Sequence, residues 1–139
     1  MRDQKIDRLK KASLFANLTP KELELVAEIT TEVALRPGQV LAREGHAGHE
    51  AFVILDGTAD ISVGGQKVAS AGPGEIVGEL ALLLHDERQA TVVAATDMDV
   101  MVIEPGRFQS LMEDVPRLSK EIALSLARRL RATDKLLHG

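Results

Sequence analysis

The amino-acid sequence predicts a mainly β domain, a barrel or jelly roll, with helices at both ends. Three observations carry that prediction. After Arg36-Pro37-Gly38 the chain becomes a series of short apolar runs broken by glycine: VLAREG, AFVILDG, ADISVGG and KVASAGPG. Ala59-Asp60-Ile61-Ser62-Val63 alternates strictly and runs into Gly64-Gly65, the pattern of a half-buried strand entering a hairpin. Helical spacing is concentrated at the two ends of the chain. Strands this short, interrupted this often by turns, favour a closed or rolled sheet.

The 139 residues fit one domain, 1–139, and 45% of them are apolar, enough for a real core. Residues 1–35 are expected to form the N-terminal helices. Ile6, Leu9 and Lys10 have helical spacing, and Leu14-Phe15 forms an apolar hinge. Thr19-Pro20-Lys21-Glu22 is a helix start: Thr19 caps, Pro20 suits the first helical position, and Glu22 reaches back to the cap. Leu23, Val26, Ala27 and Ile29 or Thr30 then make an apolar face. Residues 36–104 are assigned to the β region. Near its end, Met98, Val100 and Val102 share one face and Asp97, Asp99 and Met101 the other. Pro105-Gly106 closes it. Residues 105–139 form the C-terminal helices, a short one over 107–113 and a long one from Pro116 to about Leu137. In the long helix Ser119, Ala123, Leu126, Leu130, Thr133 and Leu137 recur at heptad-like spacing. That seam is either a homodimer contact or a face packed on the chain's own barrel.

Composition narrows the functions. Cysteine is absent, which excludes disulfides and thiolate chemistry. The charged start MRDQKIDRLKK is not a secretory signal, and no apolar stretch is long enough to span a membrane, so a cytoplasmic protein is expected. The formal net charge of −4 hides a division. Residues 1–11 carry five basic and two acidic side chains, 117–139 six and two, and 12–116 six and seventeen. Basic ends on an acidic body either fold back onto it, meet an acidic partner, or are solvated helix faces. The acidic total and the lack of Trp and Tyr argue against a nucleic-acid binder.

The chemistry lies in Gly72-Pro73-Gly74-Glu75-Ile76-Val77-Gly78-Glu79-Leu80-Ala81-Leu82-Leu83-Leu84, followed by His85-Asp86-Glu87-Arg88-Gln89-Ala90-Thr91. A glycine-rich turn runs into about six strong helix formers. A helix that short is unstable alone, so the fold must pin it. Its N-terminus exposes unpaired N–H groups and partial positive charge, which suits an anion. Gly78, lacking a Cβ, lets a ligand approach the backbone. Arg88 returns after a loop long enough to fold its guanidinium over the same spot, and its planar fork suits two phosphate oxygens. Glu79 offers an acceptor for a sugar hydroxyl. Together they read as a site for one phosphate and one ribose.

These residues resemble the cyclic-nucleotide-binding domains of cAMP-dependent kinase regulatory subunits, gated channels and catabolite activators. The family's phosphate-binding cassette, G-E-L-A-L, a loop, then R-x-A-T, is matched by Gly78-Glu79-Leu80-Ala81-Leu82 and Arg88-Gln89-Ala90-Thr91, within 74–91. Leu14-Phe15-Ala16-Asn17-Leu18 matches its L-F-x-x-L motif, and Gly38, Gly45, Gly57 and Gly74 fall at its turns. The resemblance covers essentially the whole chain. It implies an eight-stranded β-roll (a double-stranded β-helix) with N-terminal helices, a short phosphate-binding helix and two C-terminal helices. It implies a sensor rather than an enzyme, with cAMP as ligand and cGMP as the competing one. Glu79 would accept from the ribose 2′-OH and Arg88 would pair with the phosphate. The N–H groups of Ala81 and Gln89 would donate to it, and Leu80 and Ala90 would line the site. Many cGMP sites carry Thr after the arginine, where this chain has Gln89. The last helix would cap the base through Leu126, Arg129 or Leu130. Terminal helices that move on binding would signal to an effector that the sequence does not name.

Three rivals stand beside this reading. His46-Ala47-Gly48-His49-Glu50 invites a metal-dependent cupin, yet a spacing of three in a turn suits strand ligands poorly, and His85 and His138 lie elsewhere. A transcription factor would need a helix-turn-helix after the long helix, and the sequence ends at Gly139 without one, so no DNA-binding element is expected. The third is an interaction or dimerisation module that kept the fold and lost its ligand.

Overall fold

The computed structural model describes residues 2–48, 50–78 and 87–138, except for the side chains at 2, 3, 13, 105, 108, 129 and 132–138. Helix α1 (Arg2–Lys11) leads through a 3-10 turn (Ser13–Phe15) into α2 (Pro20–Ile29). Strands β1 (Thr30–Leu35), β2 (Val40–Ala42), β3 (Ala51–Asp56), β4 (Ala59–Val63), β5 (Gln66–Ala71), β6 (Ile76–Val77), β7 (Thr91–Ala94) and β8 (Met98–Ile103) follow. Helices α3 (Pro105–Asp114) and α4 (Pro116–His138) end the chain.

The strands form two antiparallel four-stranded sheets, ordered β1-β8-β3-β6 and β2-β7-β4-β5. The fold is mainly β, with helices at both ends, as expected. The stretch over 79–84 read as a short helix lies outside the described residues. The hairpin at Gly64-Gly65 forms between β4 and β5, both glycines having positive φ (59° and 82°), which a two-residue turn matched to the strand twist requires.

The β region begins at Thr30, six residues earlier than the boundary read from the sequence. Thr30 and Thr31 are β-branched and pair with Ile103 and Val102 of β8, while the buried Thr30 hydroxyl donates to Val26 O at 2.9 Å. The chain therefore passes from helix to strand without a loop, and Arg36-Pro37-Gly38 follows the first strand rather than preceding it.

Two cores lie on either side of the β1-β8-β3-β6 sheet. One, between this sheet and the helices, holds Leu9, Phe15, Leu23, Val26, Leu111, Leu118 and Ile122 with Ala51, Val53, Met101 and Ile103. The other, inside the roll, holds Phe52, Ile54, Ile61, Val77, Val92, Met98 and Val100. Strand β3 feeds both, which is why AFVIL is continuously apolar: alternate residues face alternate cores. The same applies to β8. Met98, Val100 and Val102 share a face as expected, but Met101, assigned to the polar face, is fully buried because helices cover it.

The N-terminal basic segment folds back onto the body. Lys5 Nζ donates to Ala27 O and Thr30 O, carbonyls at the end of α2 that the helix itself leaves unpaired. Arg8 Nη2 pairs with Glu32 at 2.7 Å and Asp99 at 3.1 Å. At the other end, Arg117 Nη1 donates to Asn17 O at 2.7 Å.

Helix α4 packs on its own domain through a stripe that shares Leu126 with the seam read from the sequence. Leu118 and Ile122 are buried and Leu126 is partly buried against the same core, whereas Ser119 and Ala123 are exposed. The buried stripe steps by four residues and lies one position ahead of the seam's first members, facing the 3-10 turn and α3. Among the described residues no helix is long and apolar enough to cross a membrane.

Candidate functional site

The site is built around Arg88, which the roll turns inward. Its side chain is 7% exposed, the only buried charged residue among those described. Its backbone is clamped to the loop over 43–48. Gly45 N–H donates to Arg88 O at 2.9 Å, Arg88 N–H donates to His46 O at 3.0 Å, and Ala47 bridges Glu87. This one-rung ladder fixes where the arginine leaves the main chain.

The side chain then runs between Gly48, Gly78 and the Phe52 ring. Nη1 donates to Gly78 O at 3.1 Å, and the guanidinium carbon lies 5.9 Å from the centre of the Phe52 ring. Strand pairing brings those partners together: β6 pairs with β3 in the register Phe52↔Val77, so Gly78 follows next to Ala51. A permanently charged group this deeply buried is costly unless its environment is polar or an ion is close. The Gly78 carbonyl and the Phe52 ring face supply part of that environment.

Gly78 is required by conformation and by space. Its φ is +84°, and a Cβ there would sit 2.6 Å from Arg88 Nη1 and 2.9 Å from Glu50 O. The direction a side chain would take is thus filled by the arginine and a backbone carbonyl.

Gln89 is exposed and its amide donates to Glu87 O at 3.2 Å. Ala90 is half-buried against the roll interior. Thr91 Oγ1 accepts from Glu44 N–H at 3.0 Å, and the Glu44 carboxylate accepts from Gly64 N–H at 2.9 Å, tying the β4–β5 hairpin tip to the segment that bears the arginine. Glu79, Leu80 and Ala81 lie outside the described residues.

Of the base-cap candidates, the two whose side chains are described are not gathered around Arg88. Leu126 is packed on the helical core, and Leu130 is 71% exposed. The Arg129 side chain is outside the described set. Among the described residues no three His, Asp or Glu side chains come together as a metal site. His46 contributes its carbonyl to the site, and His49 and His85 are outside the described residues. Sequence reasoning missed Phe52, Gly48 and Glu44. Phe52 reads as one more apolar residue in a buried strand, and only the register with β6 puts it under the arginine.

Two antiparallel four-stranded sheets with helices at both ends and a buried arginine define a β-roll domain. Residues 32–115 match the cyclic nucleotide-binding domain, and the chain belongs to that family. It is 30% identical over 131 residues to the cyclic AMP receptor protein of Thermus thermophilus, covering 91% of this chain and 61% of that protein. It is 32% identical over 110 residues to a cAMP-dependent protein kinase regulatory subunit of Hypocrea atroviridis, covering 79% of this chain and 24% of that one. The chain thus spans less than two thirds of either relative. Among solved structures, the regulatory domain of Toxoplasma gondii PKA with cAMP is similar at a TM-score of 0.74 and 25% identity, over 88% of this chain and 49% of that one. The family is one of regulatory ligand-binding domains rather than catalysts.

Proposed function

We propose that this chain binds a cyclic nucleotide, cAMP in preference to cGMP, and acts as a cytoplasmic sensor without catalysing a reaction. The observation that carries the reading is Arg88: a residue only 7% exposed, its guanidinium held over Phe52 and against Gly78. Such a charge is well placed for a cyclic phosphate. In this reading Arg88 pairs with the phosphate and Glu79 accepts from the ribose 2′-OH. The N–H groups of Ala81 and Gln89 donate to the phosphate, and Leu80, Gly78 and Ala90 line the pocket. The relatives named for cAMP support the preference over cGMP.

Calorimetric titration with cAMP, cGMP and the cyclic pyrimidine nucleotides tests it. The expected order is cAMP first. A charge-assisted hydrogen bond is worth about 1.5–3 kcal/mol net, so Arg88→Ala should weaken binding at least tenfold to a hundredfold while the domain stays folded. No uptake of any cyclic nucleotide by the wild type would refute the reading.

The signalling step proposed is repacking of α3 and α4 when the cassette closes on phosphate. Closing a base with Leu126, Arg129 or Leu130 would require α4 to move, since Leu126 is engaged elsewhere and Leu130 is exposed. Ligand can drive this only through unequal affinity for the two arrangements. Unchanged backbone NMR shifts over 105–138 at saturation would remove it.

A second reading, self-association through α4, is favoured by Leu130, a seam residue that is 71% exposed on that helix. Sedimentation velocity with and without ligand tests it. A dimer lost in Leu130→Glu is expected, and a monomer at all concentrations overturns it.

A further inference from the structure

Nothing in the residue pattern marks out Gly48, yet the three atoms nearest to where its Cβ would stand all belong to Arg88. A Cβ on Gly48 would lie 1.8 Å from Arg88 Nε, 2.3 Å from Cζ and 2.7 Å from Cδ. Non-bonded heavy atoms do not approach this closely. The backbone of Gly48 is not in the left-handed region, so what calls for glycine there is space and not conformation. Gly48 also belongs to the loop whose Gly45 and His46 hold the Arg88 backbone. One loop thus fixes where the arginine starts and how its side chain lies.

We propose that Gly48 is a positioning residue for Arg88: its bare backbone is the surface on which the guanidinium stem rests, and this sets how far the fork reaches toward the bound phosphate. The inference rests on the cyclic-nucleotide reading and deepens it. The atoms crowded by a new methyl group belong to a side chain, so the arginine yields and the main chain stays. A displaced fork loses hydrogen bonds to phosphate without contact between position 48 and the ligand.

The test combines a stability cycle with binding. Melting temperatures are compared for the wild type, Gly48→Ala, Arg88→Ala and the double variant. Gly48→Ala should lower the melting temperature when Arg88 is present and leave it unchanged when Arg88 is alanine. Equal losses in both backgrounds, or a double variant that fails to fold, overturn the proposal. In calorimetry Gly48→Ala should weaken cAMP about tenfold or more, the loss of one charge-assisted hydrogen bond. It should also change severalfold the ratio of affinities for the two phosphorothioate diastereomers of cAMP, because an arginine approaching from one side distinguishes the two exocyclic positions.

A control separates this from a general loss of stability. Gly38 has φ +91° with open space where a Cβ would point and lies outside the loop that holds Arg88, so Gly38→Ala strains the backbone without touching the arginine. It should lower the melting temperature and leave the diastereomer ratio intact. Wild type that binds cAMP, with a folded Gly48→Ala of unchanged affinity and ratio, sinks the positioning role alone. Wild type that binds no cyclic nucleotide sinks the ligand reading and the positioning role with it.

Discussion

At the residue scale, the structure shows how much a few hydrogen bonds fix. Thr19 begins α2 with a reciprocal pair: its backbone N–H donates to Glu22 Oε1 at 2.8 Å, and its hydroxyl accepts from Glu22 N–H at 3.2 Å. Thr19→Ala should cost about 1 kcal/mol, read as a lower urea midpoint with an unchanged slope. The Glu22 carboxyl is held below its ordinary value of 4.5, first by the Thr19 backbone N–H, then by the Thr19 side chain and the Arg117 charge. A depressed carboxyl contributes stability that is fully present above the ordinary value and is lost as pH falls through the folded one. An NMR titration should therefore find the Glu22 midpoint below that of an unstructured glutamate, and Glu22→Gln should flatten the acid limb of the stability profile. Arg88 is the opposite kind of residue: what holds it is spread over Gly45, His46, Gly48, Phe52 and Gly78, none of which announces the contact by type.

At the scale of elements, burial separates residues that look alike. Leu118 is fully buried beneath α4 and Leu130 is 71% exposed on the same helix. Leu118→Ala should cost about 2–5 kcal/mol in chemical unfolding, while Leu130→Ala should stay within about 0.5 kcal/mol. The sequence made the helix starts, the β4–β5 hairpin and the extents of α3 and α4 legible, because caps, prolines and paired glycines act locally. It misplaced the start of β1, since Thr30 and Thr31 become a strand only by pairing with β8. It left open which stripe of α4 packs inward, since Ser119 and Ala123 have helical spacing with Leu126 as good as that of Leu118 and Ile122, and only the neighbouring 3-10 turn and α3 decide between them. That Arg88 folds back to Gly78 was legible from the loop between them. Its companions Phe52 and Gly48 were not, because each is brought to it by strand register or loop path across a long sequence separation.

For the whole molecule, ligand binding and stability are one equilibrium. A ligand taken up by the folded state alone, present at a hundred times its dissociation constant, adds about 2.7 kcal/mol. For a domain of this size that raises the melting temperature by roughly 10 °C. Differential scanning fluorimetry with cAMP should show this for the wild type and little of it for Arg88→Ala. The charge division also has a structural meaning at this scale. Arg8 and Lys5 are spent on the acidic body and on the end of α2, so the N-terminal helix is bound by charge as well as by Leu9 and Phe15.

Strand β3 has a consequence for how such a domain can report. Phe52 faces the roll and sits beneath the arginine, while Ala51 and Val53, its immediate neighbours, face the helices. Roll interior and helix layer are therefore two sides of one ribbon a single peptide thick. A displacement of that ribbon toward the roll interior would be a retreat from the helices by the same amount, so a molecule held beside Phe52, as proposed, would need no relay of intervening side chains to be felt at the helices.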